Sequence, residues 1–371
     1  MRTRGIAALL VSAALGVTTS ACSQGPSAPA AARPAAPTAS PLAGPSPSPT
    51  PAIVGPLTLE SLFHPPSAVP DDPFHYRTLL ATGDVIPARM VNVEATRRGD
   101  FIWPFRPTAP LLRSADIAWV NLETPLFAGC PLAQTGFTFC GDGRFVQGLS
   151  FAGVDAANLG NEHIHNYGQQ GVDATIRLLD SHGIAYSGLG HTAFLNVRGF
   201  TFALLGFNDV EETLDRAEMK REIASARTRA DVVVVQFHWG KEYERQPMAA
   251  PGVAADDPVT LGHLAVDDGA DLVIGNHQHW YEGVEIYHGR LITYAHGNFV
   301  FDQSWSEQTE EGVVGIYSFY GDRLVAARWV PVHVDGLDGQ PSVMPPGPAA
   351  KVLSTMEAAS KQLAARLGEP T

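Results

Sequence analysis

Seven side chains with oxygen or nitrogen donors occur at one kind of place in this chain, directly after a short apolar run. Tyr76–Thr82 leads into Gly83-Asp84, Ala115–Val120 into Asn121-Leu122-Glu123, and Val154–Leu159 into Gly160-Asn161-Glu162-His163. Asp231–Phe237 leads into His238, and Leu272–Ile274 into Gly275-Asn276-His277-Gln278-His279. Carboxylate, amide and imidazole donors without a thiolate suit Mn, Fe or Zn, or Mg where carboxylates dominate. Singly, each residue has a bland reading: Asp84 as a cap, Glu123 as a helix-start charge, Asn161 as a turn residue, His238 as a core histidine. His277 and His279 are stronger together, because side chains two apart on an extended segment share a face. Jointly, Asp84, Glu123, Asn161, His163, His238, His277 and His279 predict one site, since ligand crevices in α/β folds open at the carboxyl ends of strands.

The elements that must carry these residues follow from the apolar pattern. Continuous Val/Ile/Leu runs of this length suit strands buried on both faces. Helices are predicted at Val172–Ser181, stopping at Gly183, and at Val259–Asp268, stopping at Gly269. Val313–Phe319 and Leu324–Val332 read as strands finishing a sheet edge, and Lys351–Leu367 as an amphipathic terminal helix. The alternation predicts an α/β domain over 71–346, followed by a helix and tail over 347–371.

The 371 residues carry a net charge of −13 from 25 basic and 38 acidic side chains, with no Lys/Arg-rich block. That excludes a sequence-independent nucleic-acid grip, which needs clustered phosphate neutralisation. The three cysteines form no CxxC pair, which argues against a thiolate zinc site. Arg2 and Arg4 precede an apolar run, Ile6–Val17, too short to span a bilayer comfortably. The small residues that follow end in Thr19-Ser20-Ala21-Cys22, which resembles a bacterial lipoprotein signal. The expectation is a signal peptide over 1–21, lipid on Cys22 and an extracytoplasmic, membrane-anchored protein; without the lipid the chain is simply secreted. Residues 22–70, rich in Pro, Ala and Ser, are expected to form a disordered tether. Cys130 and Cys140, ten apart in a Gly-rich loop of an exported chain, are expected to form a disulfide.

The motifs in this order resemble the CapA family of capsule poly-γ-glutamate synthesis, a relative of the calcineurin-like metallophosphoesterases. The resemblance rests on Ala81-Thr82-Gly83-Asp84, Asn121-Leu122-Glu123-Thr124-Pro125, Asn161-Glu162-His163, His238-Trp239-Gly240, Gly275-Asn276-His277-Gln278-His279 and Gly297-Asn298-Phe299. It implies a four-layer α/β/β/α sandwich, metallophosphatase-like, with one or two divalent ions. One ion would take Asn161, His238 and His277, a second Asp84 and His279, with Glu123 bridging. His163 would stabilise or protonate the leaving oxygen. The chain departs from that pattern at Ile86, where the phosphoesterases carry a histidine, at Glu123, where they bridge with aspartate, and at Glu162, Asn166 and Asn276, where CapA relatives usually have Asn, Asp and His.

Two functional readings follow. One is a metal-dependent hydrolase at the cell surface, acting on a phosphoester or an amide-linked anionic polymer. The other is a non-catalytic envelope lipoprotein that helps export or retain such a polymer, alongside capsule synthase components. Arg89 reads either as a contact for a substrate anion or as one half of an ion pair.

Overall fold

The strand Val232–His238 shows how the layers are specified. Its sequence is VVVVQFH and every residue is buried. Val232 and Val234 face one apolar cluster, with Leu79 and Trp119; Val233 and Val235 face another, with Ile223 and Leu261. A period of two with both faces apolar is what a strand between two covering layers requires. Fully burying each such side chain is worth about 1.5–3 kcal/mol.

The computed structural model describes residues 56–65 and 75–369. The signal segment, Cys22 and most of the expected tether lie outside the described residues. One part of the tether does not: Leu59–Phe63 is a helix, capped by Thr58, with Leu59 and Leu62 buried. Phe63 stacks on Trp329 at 5.2 Å. The expected 22–70 tether therefore includes a stretch that belongs to the folded part, because these apolar residues find a surface to cover.

Two sheets face each other. The first runs Pro341–Val343, Arg323–Val334, Glu311–Tyr320, Tyr76–Val85, Ile117–Leu122, Ala156–Asn158, Ala185–Ser187, with Asn298–Val300 paired beside Tyr76–Val85. The second runs Val284–Tyr287, Arg290–Thr293, Leu272–Asn276, Val232–His238, Phe200–Asn208, Ala193–Val197. The central strands of each are parallel. The two strands expected to finish an edge extend the first sheet as an antiparallel pair, but Pro341–Val343 pairs beyond them and is itself the edge strand.

Three apolar clusters separate the layers. Leu79, Ala81 and Trp119 of the first sheet meet Phe202, Leu204 and Ile274 of the second. The outer face of the first sheet is covered by Arg89–Arg98, Phe145–Ala152 and Gly168–Ser181 through Val91, Leu149 and Leu179. The outer face of the second is covered by Arg216–Arg227 and Pro258–Asp267 through Ile223 and Leu261. The arrangement is helix, sheet, sheet, helix. The terminal helix Pro346–Leu367 sends Val352 and Met356 into the central cluster and Leu363 into the outer one. Cys130 and Cys140 form a disulfide with a Cα–Cα distance of 5.9 Å.

Candidate metal centre

Parallel strands of both sheets end at the same place. Asp84 stands opposite Asn121 in the first sheet, and His238 stands opposite Asn208 and Asn276 in the second. Asp84 reaches this position because its neighbour has no side chain. A Cβ on Gly83 would lie 1.9 Å from the Gly297 carbonyl oxygen, which accepts the Asp84 N–H at 2.9 Å. Gly275, in the second sheet, is in the same state, with a built Cβ 1.8 Å from the Tyr294 carbonyl oxygen.

The donors gather in three overlapping groups: Glu162, His238 and His277; Asp84, Glu123 and His238; and Glu123, Glu162 and His163. Within each group, one ligand atom per residue lies within 4.8 Å of the others. His279 joins through Asp84, with its Nδ1 3.1 Å from Asp84 Oδ2 and 3.0 Å from Asn298 Oδ1. Six of the seven expected residues therefore meet.

Asn161 is the exception. Its side chain caps the short 3₁₀ turn Glu162–His165, accepting the Ile164 N–H at 3.0 Å and donating to the Leu122 carbonyl at 3.0 Å. The amide bonds the backbone on both sides, and the carboxylate drawn into the His238–His277 group is that of its neighbour. Glu162 stands there with Oε2 3.0 Å from His238 Nε2 and Oε1 3.2 Å from His277 Nδ1. Sequence reasoning also passed over Asn121. Its amide donates to Asp84 Oδ1 at 2.9 Å and lies 3.4 Å from both Glu123 Oε2 and His238 Nδ1. The signal for it was its place near the end of the strand Ile117–Leu122, two residues before Glu123.

The route by which His277 and His279 converge also differs from expectation. The strand stops at Asn276, and both histidines take left-handed backbone conformations, φ 103° and 56°. Such conformations cost of order 1–3 kcal/mol for a residue with a Cβ and concentrate at functional sites. The turn, not an extended segment, brings the rings to 6.2 Å of one another.

The electrostatics are those of buried groups without enough water. Burial and the Asp84 charge push the Glu123 carboxyl up to about 8. Burial would raise Glu162 as well, but the charges of His238 and His277 hold it well below the ordinary carboxylate range. Burial would lower His238, yet Glu162 and Glu123 raise it well above its usual value. Despite these short distances, Glu123 Oε1, Glu162 Oε2, His238 Nε2 and both ring nitrogens of His277 have no aligned hydrogen bond. An unpaired buried polar atom costs about 1–3 kcal/mol. Close donors without aligned partners are compatible with a shared ion, and this mixed oxygen and nitrogen set fits a divalent cation.

His163 stands beside the group, its Nε2 3.7 Å from Glu162 Oε1. Asn166 Oδ1 accepts the Phe139 N–H at 2.6 Å and lies 3.1 Å from His163 Nδ1. An atom that accepts from the backbone is an oxygen, so His163 Nδ1 carries the proton and Nε2 a lone pair. Burial lowers its pKa, keeping it neutral near pH 7. The Phe139 ring packs on it at 4.3 Å. Ile86 is fully buried in an apolar group with Ala88, Phe139 and Phe301 and supplies no donor. Arg89 is committed to a buried ion pair with Asp302 at 2.9 Å.

With the geometry in view, the likeness to known proteins is informative. The chain is 29% identical to the capsule biosynthesis protein CapA of Bacillus anthracis over 64% of its own length and 62% of the relative's. It is also 29% identical to the PGA biosynthesis protein CapA of Bacillus subtilis, over 62% and 65% of the two chains. The chain thus spans less than two thirds of either relative. Among solved structures, a hypothetical protein from Thermus thermophilus superposes with a TM-score of 0.46 at 16% identity, covering 68% of this chain and 98% of that one. Residues 78–303, which carry every donor described above, match the bacterial capsule synthesis protein family PGA_cap, and the chain belongs to that family.

Proposed function

We propose that this chain is a metal-dependent hydrolase of the cell envelope, acting in the metabolism of a capsule-type anionic polymer such as poly-γ-glutamate or on a phosphoester. The observation that carries the reading is the overlap of the Glu162–His238–His277 and Asp84–Glu123–His238 groups, in which Glu123 Oε1, Glu162 Oε2, His238 Nε2 and both His277 ring nitrogens have no aligned hydrogen bond. Asp84, Glu123, Glu162, His238, His277 and His279 would hold one or two divalent ions, Mn, Fe or Zn. A bound ion supplies positive charge for an anionic substrate oxygen and lowers the pKa of a water. The protein contributes position and proton handling. Asn121 fixes Asp84 and Glu123, and His163 offers its bare Nε2 as a proton acceptor whose protonated form returns the proton to the leaving oxygen. Nearby cations are already paired, Lys241 with Glu244 and Arg89 with Asp302. An ion would give a chain of net charge −13 a positive grip on a polyanion at this place.

The test is metal content of the purified protein, followed by hydrolysis of an aryl phosphate and of poly-γ-glutamate with Mn added. Turnover lost in His163→Ala with metal retained supports catalysis. Stoichiometric metal with no turnover on either substrate overturns it and favours the second reading, a lipoprotein that assists polymer export or retention beside capsule synthase components. Anchoring through lipid on Cys22 is part of the proposal, and membrane association retained by Cys22→Ser would overturn that part.

A further inference from the structure

We propose that Glu162 is the metal ligand that tunes ion preference at this centre, turning the His238–His277 group into a mixed carboxylate–imidazole site whose Mn²⁺/Zn²⁺ affinity ratio is higher than an amide at the same place would give. The inference rests on the metal-dependent reading above and goes one step beyond it, from the presence of an ion to the residue that selects it.

The argument begins with local backbone. Asn161 caps the turn, its side chain folding back on Ile164 and Leu122. The following residue is the first of the 3₁₀ turn, and its side chain is the one delivered toward the centre. Glu162 is long enough to place its two oxygens on two different histidines, 3.0 Å from His238 Nε2 and 3.2 Å from His277 Nδ1. Its side chain is only 7% exposed, and Oε2 has no aligned hydrogen bond. A buried carboxylate placed only to pair with histidines would align with one of them; this one spans both and aligns with neither through Oε2.

The chemistry follows from the donor type. An amide here would leave the group two imidazoles and one neutral oxygen. A carboxylate adds a full negative charge and a hard oxygen. Imidazole suits Zn, whereas carboxylate suits Mn, so the exchange shifts preference toward the harder ion.

The experiment measures ion affinity by titration calorimetry, with bound metal counted by elemental analysis, on the full chain. Wild type is expected to bind Mn²⁺, and Glu162→Gln to bind it at least about tenfold more weakly, the low end for disturbing the shell around a metal. Zn²⁺ affinity should fall less, so the Mn/Zn affinity ratio drops. Asn161→Ser, which keeps a capping oxygen, should leave Mn²⁺ affinity within about threefold, and Glu162→Asp should restore part of the Mn/Zn ratio. Circular dichroism of each variant confirms that it is folded, and Glu162→Asp carries the test if Glu162→Gln is not. Unchanged Mn²⁺ affinity and an unchanged Mn/Zn ratio in Glu162→Gln would overturn the inference while leaving the metal centre intact. A wild type that binds no divalent ion would instead overturn the metal-dependent reading itself.

Discussion

The two halves of the centre are built from similar residues and are in opposite states. In the half made by Glu162, His238 and His277, the donors crowd together without aligned hydrogen bonds. In the half made by Asp84 and His279, both carboxylate oxygens are occupied, Oδ1 by Asn121 and Oδ2 by His279, and the His279 ring is held between Asp84 and Asn298. Burial would raise Asp84, but its bond to His279 and the charges of His279 and His238 draw it below its usual value. The first half is short of a partner and the second has made its own. An ion entering the second must displace hydrogen bonds that already stabilise it, and Ile86 offers no donor to compensate. The difference teaches that ligand type alone does not rank two metal positions; the hydrogen bonds that an ion must replace count equally. We therefore expect the Glu162 half to load first and more tightly.

The harshest way to break the comparison is His238→Ala, because His238 belongs to two of the three groups, one with Glu162 and His277 and one with Asp84 and Glu123. Ion affinity should fall by more than about a hundredfold at both positions, beyond the range for outer-shell changes. The metal-free variant should also unfold more easily, by about 3 kcal/mol, since Glu123 and Glu162 lose their buried partner; calorimetry and thermal melts read both. Asp84→Asn is more selective. It should weaken the second ion by about 10–100-fold and leave the first near its wild-type affinity, so that elemental analysis shows the stoichiometry falling toward one. Equal loss at both positions would erase the distinction between the halves.

Acidity provides a gentler probe. Glu123 is pushed up to about 8, so near neutral pH its carboxyl holds a proton that an ion must expel. Affinity therefore rises with pH as Glu123 and His238, both raised above their usual values, give up their protons, and it falls by about tenfold per unit on the acid side for each proton displaced. Titrations in buffers of different ionisation enthalpy would count the protons. The smallest effect sharpens rather than breaks the contrast. Ile86→His should return a donor beside Asp84 and tighten the second ion by a few fold, at a cost of about 1–3 kcal/mol in stability for placing a polar ring in an apolar group.

Much of this was legible before any coordinates. The runs ending at Asp84, Asn121, His238 and Asn276 are strands because continuous β-branched and aliphatic residues can be buried on both faces, and the donors follow from where such strands end. Helices with a thin apolar stripe were harder to read. Arg216–Arg227 buries only Met219, Ile223 and Ala226 among charged neighbours, and Arg89–Arg98 is equally sparse. The site was legible to within one residue. Asn161 and Glu162 are adjacent polar residues in a turn, and which of them faces the centre depends on which one caps, a matter of backbone angles that no periodicity encodes. The left-handed turns at His277 and His279 escaped for the same reason.

The crowded glycines at 83 and 275 bear on how any mutational survey of this protein should be interpreted. Each abuts a main-chain carbonyl of the same stretch, 294–297, so one strut seats both sheets' contributions at once. Adding a single methyl at either point would pry the support from the reactive groups without touching any of them. Alanine scanning would then score a lost scaffold as a lost reagent, and only variants that preserve those two bare backbones can tell the two apart.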